Sequence, residues 1–184
     1  MPDVDRQRRR SKRTIAVVAV AFVVIAIVLG VIGLPMTANG GANIVDFERA
    51  GSAAASQRIF DGWDQAARDA SWLVNVLDYA FMVSYGALGF LWARYVAARA
   101  ADRGWAKVAT LGRVVAVLAV VAAVSDAVEN VGLLLQLHEG RGTDVAALSA
   151  AAANLKFALL YVLVVPYPLV VLLALRFTRA RAAT

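Results

Sequence analysis

Asp126, Glu129 and Asn130 stand at i, i+3 and i+4, so on a helix two carboxyls and an amide share one face. Two carboxyls one turn apart and away from water cannot both ionise cheaply. Such a pair shares a proton, holds a cation, or divides into an acid and a base. Upstream, Asn75, Asp78, Tyr79, Met82, Tyr85, Gly86 and Gly89 recur at three- and four-residue spacing and form a second polar face. Downstream come Asn154 and Lys156, which lie about 200° apart around a helix and need help to address one spot. The candidates for binding a ligand or proton are therefore Asp78, Asp126, Glu129, Asn130, Lys156, Asn75, Tyr79, Tyr85 and Asn154. No catalytic role can be assigned to any of them from type and spacing alone.

Other chemistries lack their residues. The chain has no cysteine, which removes disulfides and thiolate sites, and its one histidine, His138, cannot build a multi-histidine metal or haem site. There is no glycine-rich phosphate loop and no Ser/His/Asp set. Neither a metal nor a cofactor is expected.

The elements that carry these residues are long and apolar. Of the 184 residues, 61% are hydrophobic, above the share of an ordinary soluble domain, and the excess falls in four runs. Ile15–Leu34 holds no charge, Ala70–Ala93 only Asp78, Val114–Leu137 only Asp126 and Glu129, and Val145–Leu175 only Lys156. About twenty residues at 1.5 Å each cross a hydrocarbon core of about 30 Å. The fold class expected is all-α: a polytopic membrane protein, a single domain over residues 1–184. Its four transmembrane helices fall near 14–35, 70–97, 109–137 and 145–176, and its extracytoplasmic loop spans 36–69. The first run exceeds the apolar stretch of a signal peptide and is expected to be a retained helix.

Charge placement orients the bundle. Met1–Arg13, Arg94–Arg113 and Arg176–Thr184 carry 14 of the 19 basic residues and share one side of a four-helix chain. On the other side Arg49, Arg58, Arg68 and Arg141 are outnumbered by Asp46, Glu48, Asp61, Asp64, Asp69, Glu139 and Asp144. Basic flanks stay inside, so both termini are expected in the cytoplasm, with the chain in the cell membrane. The net charge of +6 is then a topology signal with some attraction to anionic lipid, not a nucleic-acid surface.

With that orientation the ionisable groups fall in one layer. Asp78, Asp126, Glu129 and Lys156 each lie about eight to eleven residues from the outer end of their helix. A charge at such depth costs at least about 2.5–3.5 kcal/mol, so Lys156 should pair with Asp78, Asp126 or Glu129. Three acids against one lysine leave an excess that protons, water, a small cation or a cationic lipophilic ligand must offset. Polar residues of membrane helices also serve as interhelical glue. Three functions fit: binding or transport of a proton, cation or small amphiphile; a membrane enzyme acting on a lipid or isoprenoid with an Asp/Glu acid–base pair; or a structural or accessory subunit. The lipid bilayer is the partner in all three, and a homo-oligomer or membrane partner is compatible with each.

Lesser features complete the picture. Thr37–Asn43 reads as a turn, and Ser52 opens a short interfacial helix, a lid over the bundle or a gate above a site. Pro166 and Pro168 should kink the fourth helix. Trp63 and Trp72, and Trp92 and Trp105, are placed as aromatic belts at the two ends of the second helix. Gly30 and Gly33, like Gly86 and Gly89, suggest close helix approach.

Overall fold

The computed structural model describes residues 2–181; Met1 and residues 182–184, counted in the charge reading above, lie outside it. The described chain is all-helical, and four of its helices are long and apolar enough to cross a membrane: Arg9–Ile32, Gln65–Ala101, Ala106–Glu139 and Val145–Thr178.

The first is part of α1, Pro2–Ile32, which begins further upstream than the apolar run because its basic residues are good helix formers. After α1 come the short α2 (Leu34–Thr37), a 3-10 turn at Ala38–Gly40, α3 (Ile44–Glu48) and α4 (Ala53–Gly62). The second long helix is α5, Gln65–Ala101, with Asp64 capping its start by accepting from Ala67 N. The third is α6, Ala106–Glu139, which stops where Gly140 turns left-handed at φ +67°.

The fourth is interrupted. It runs as α7 (Val145–Leu159), widens into one π turn at Leu160–Val164, and resumes as α8 (Pro166–Arg181). Pro166 has no N–H and its ring would clash with the carbonyl four residues back. The chain answers by lengthening the preceding turn, with Val165 N donating to Leu160 O at 2.9 Å. The expected kink therefore takes the form of a π turn.

The long helices are not packed in a closed square. α5 packs along α6, α6 along α7, and α1 against α5. Gly86 and Gly89 permit the α5–α6 approach: a methyl at Gly89 would fall 2.9 Å from Ala119 Cβ and 2.8 Å from Val164. Gly112 is tighter still, facing the ring of Tyr167, whose hydroxyl donates to Val108 O at 2.9 Å. These contacts close the end of the bundle near the α5–α6 turn around Ala93, Val96, Ala116 and Val171. Gly30 and Gly33 behave otherwise. Added methyls there would meet nothing at Gly30, and only α1's own last turn and Met36 at Gly33. They make no close approach between long helices, because α1 stands at the edge.

At the opposite end the loop between α1 and α5 forms its own core. Phe47, Phe60 and Trp63 pack edge to face at centroid distances of 5.2–6.1 Å. Trp63 is thus buried, with Nε1 donating to Ala42 O at 2.8 Å; it is a core residue and not part of an aromatic belt. Ser52 caps α4 as its sequence implies, accepting from Ala55 N. α4 is tied down by Ser56, which donates to Gln136 of α6 at 2.6 Å, and by Gln57, which accepts from Gly142 N.

Candidate functional site

α3 is one turn long, and its start is fixed by a capping box. The Asn43 side chain accepts from Val45 N and Asp46 N, and Asp46 accepts from Asn43 N. This turn puts Phe47 into the loop core and the adjacent Glu48 into the bundle, both buried. Glu48 is the residue the sequence reading did not place in the site. A charged residue in a polar loop is ordinary, and the signals pointing inward were the Asn43/Asp46 box and the Ile44, Phe47 and Glu48 spacing on one face.

Glu48 meets Lys156 of α7. The Lys156 ammonium lies 2.8 Å from Asp126 Oδ1, 2.9 Å from Glu129 Oε2 and 3.3 Å from Glu48 Oε2. The Glu129 contact is an ion pair by distance, though off the line of an N–H bond. All four groups are buried. An ammonium has three N–H bonds, and three carboxyls surround it. The lysine also lies 4.6 Å from the centre of the Phe157 ring. The close approach of α6 to α7 that this cluster needs is made at Gly132, which faces Ser149, and by Ser125 Oγ donating to Ala152 O at 2.9 Å.

The remaining bonds tie the cluster to α5. Tyr85 donates to Asp126 Oδ2 at 2.8 Å. Asn130 Nδ2 donates to Asp78 Oδ2 at 3.0 Å and to Asn75 O at 3.1 Å. Asp78 is therefore not a partner of Lys156; it accepts from an amide instead. Asn75 Nδ2 turns back to Ser71 O at 2.8 Å, which fixes the amide's orientation and leaves Asn75 Oδ1 buried without a partner. Two expected members stand apart. Tyr79 is 38% exposed, and Asn154 is exposed on the face of α7 away from Lys156. The helix phase that separates Asn154 from Lys156 accounts for this.

Three carboxyls thus face one ammonium, and a fourth, Asp78, lies beside them on α5. Burial pushes the Glu48 carboxyl above the usual carboxylate range; Lys156 pulls it down, Asp126 pushes it up, and burial prevails. Among the described residues no group of three His, Cys, Asp or Glu is placed to hold a metal ion.

The cluster lies at one end of a cavity of about 800 Å³ between α1, α5 and the fourth long helix. Glu48, Asn75, Asp78, Asp126, Asn130 and Lys156 form its polar end, roofed by α2 and α3. α4 takes no part in the lining, so it is no gate over this cavity; it covers the ends of α6 and α7 instead. The walls beyond the polar end are apolar: Phe22 and Leu29 of α1, Phe81, Leu88 and Trp92 of α5, Leu160 and Val164 of the π turn. From Asp78 to Trp92 is about 21 Å along α5. Tyr161 and Val165 on the rim are 68% and 45% exposed, so the cavity opens sideways between α1 and the π turn. No family model, curated protein or solved structure matches the chain.

Proposed function

We propose that this is a multi-pass membrane protein that binds a small amphiphile drawn sideways from the lipid. The ligand's head rests against the acidic layer and its tail lies along the apolar walls. The supporting observation is the cavity itself. A proton or inorganic cation needs no apolar corridor about 21 Å long, and interhelical glue needs no space of about 800 Å³ beside it. The size falls within the range of small-molecule pockets, which are mostly apolar with a few convergent polar groups.

In this reading the termini and the α5–α6 turn face the cytoplasm, and α2 to α4 lie on the outer side, as the basic flanks imply. Cysteine substitutions test the orientation on a cysteine-free background. Arg58→Cys and Arg141→Cys should react with an impermeant thiol reagent on intact cells, and Arg103→Cys should not. Labelling of Arg103→Cys from outside overturns the orientation.

Binding is tested by native mass spectrometry of protein extracted from its own membrane. Gly30 lines the cavity with open space beside it, so Gly30→Phe should obstruct the cavity without disturbing a neighbour. An amphiphile should travel with the wild type and with Val17→Phe, whose position is exposed on α1 and outside the cavity, but not with Gly30→Phe. Equal retention by all three sinks the proposal.

A second reading, an enzyme acting on a lipid or isoprenoid, draws on the unlike settings of two carboxyls facing the same cavity. Asp126 is bonded to Lys156 and Tyr85, and Asp78 to the Asn130 amide. Two carboxyls with unlike hydrogen-bond partners suit one to give and the other to take a proton. Recovery of a chemically altered ligand from the wild type but not from Asp78→Asn favours this reading over simple binding.

A further inference from the structure

We infer that the head of the cavity's ligand is a protonated amine, held between Asp78 and Asn75; this rests on the amphiphile reading above. The polar end of the cavity has a surplus of acceptors. Lys156 faces Asp126, Glu129 and Glu48 at 2.8, 2.9 and 3.3 Å, so its one charge is already shared among three carboxyls. Asp78 is left with one neutral donor, Asn130 Nδ2 at 3.0 Å. One turn away, Asn75 is 1% exposed, lines the same cavity, and has its Oδ1 without a partner. Its Nδ2 is committed to Ser71 O, so the orphan cannot be relieved by turning the amide over.

A buried acceptor without a donor is costly, as is a carboxylate without a countercharge. A group with several N–H bonds and a positive charge satisfies both at once. A carboxylate or phosphate head would add negative charge beside Asp78 and bring no donor. A hydroxyl head brings one donor and no charge. A quaternary ammonium brings charge and no donor for Asn75. A primary or secondary ammonium on an apolar tail matches both partners, and the corridor past Phe81 and Leu88 toward Trp92 receives the tail.

Trp92 lines the apolar part of the cavity and makes the test direct. Alkyl chains of one length, brominated near the tail and bearing a primary ammonium, a trimethylammonium, a hydroxyl or a carboxylate head, are titrated into the protein in nanodiscs. Tryptophan quenching is read, with Trp92→Phe as the blank. The ammonium chain should quench Trp92 at a concentration at least about tenfold lower than the other three, the scale of a charge-assisted hydrogen bond. Asp78→Asn should erase that preference while leaving tail-driven quenching in place. Asn75→Leu should narrow the gap between the primary and trimethylammonium chains. Quenching of Trp92 with no preference among heads, or a preference that survives Asp78→Asn, overturns the amine assignment and leaves the amphiphile reading standing. No quenching of Trp92 by any chain overturns both.

Discussion

Lys156→Met isolates what the ammonium does for the buried layer. Methionine keeps most of the stem's packing and removes the charge facing Asp126, Glu129 and Glu48 at 2.8, 2.9 and 3.3 Å. Breaking a buried ion pair on one side costs about 3–5 kcal/mol, and three carboxyls sharing one ammonium place the change at the upper end, about 5 kcal/mol. For a domain of this size each kcal/mol moves the melting temperature by about 2–4 °C, so a fall of roughly 10–20 °C is expected. The assay is thermal unfolding of purified protein in nanodiscs, alone and with a second substitution. Asp126→Asn should return a large part of the loss, because Asp126 is the shortest contact and its other oxygen keeps the Tyr85 hydroxyl. Glu129→Gln should return less. Asp78→Asn should return almost nothing, because Asp78 bonds Asn130 and not the lysine. Rescue by Asp78→Asn equal to that by Asp126→Asn, or an unchanged melting temperature in Lys156→Met, refutes the arrangement described.

Glu48 provides a pH signature. Its folded pKa is raised, so the folded state holds the proton more tightly than the unfolded chain; this stability is present below the ordinary glutamate range and is lost as pH rises through the raised value. Glu48→Gln should flatten that decline in melting temperature against pH, and an unchanged slope would place Glu48 outside the layer. Gly112→Ala should cost about 1–3 kcal/mol in thermal unfolding, because its methyl would meet Tyr167 and Ala97, whereas Gly30→Ala, with open space around it, should be neutral or slightly stabilising. Equal effects at the two glycines would contradict the packing on one side of the bundle and the opening on the other.

The four long helices were legible because each apolar run is long enough to declare itself regardless of its neighbours. The convergence of Asp126, Glu129 and Lys156 was legible for a related reason: helix rise turns sequence number into depth, and groups at one depth on adjacent helices meet. Azimuth was harder to read. Tyr79 shares the three- and four-residue spacing of Asn75 and Met82, yet it follows Asp78 directly, and about 100° of helix rotation turns it outward. The choice of partner was harder still. Which carboxyls reach Lys156 depends on α1 standing at the edge and α3 folding inward, and both are tertiary outcomes. Glu48 reaches the layer through a single capped turn, whose few inward positions do not set it apart from an ordinary loop acid. The prolines gave the site of a break in the fourth helix but not its form as a π turn, which depends on how neighbouring helices absorb the missing bond.

The claim that joins these observations is that the space between α1 and the π turn belongs to a ligand, and a structure of the protein determined in nanodiscs of its native lipid tests it most directly. The expected result is elongated density along Phe81, Leu88 and Trp92, with its polar end within hydrogen-bond reach of Asp78 and Asn75 Oδ1. A cavity closed by α1 packed against Tyr161 and Val165, with Asp78 turned to a protein partner, would contradict the account.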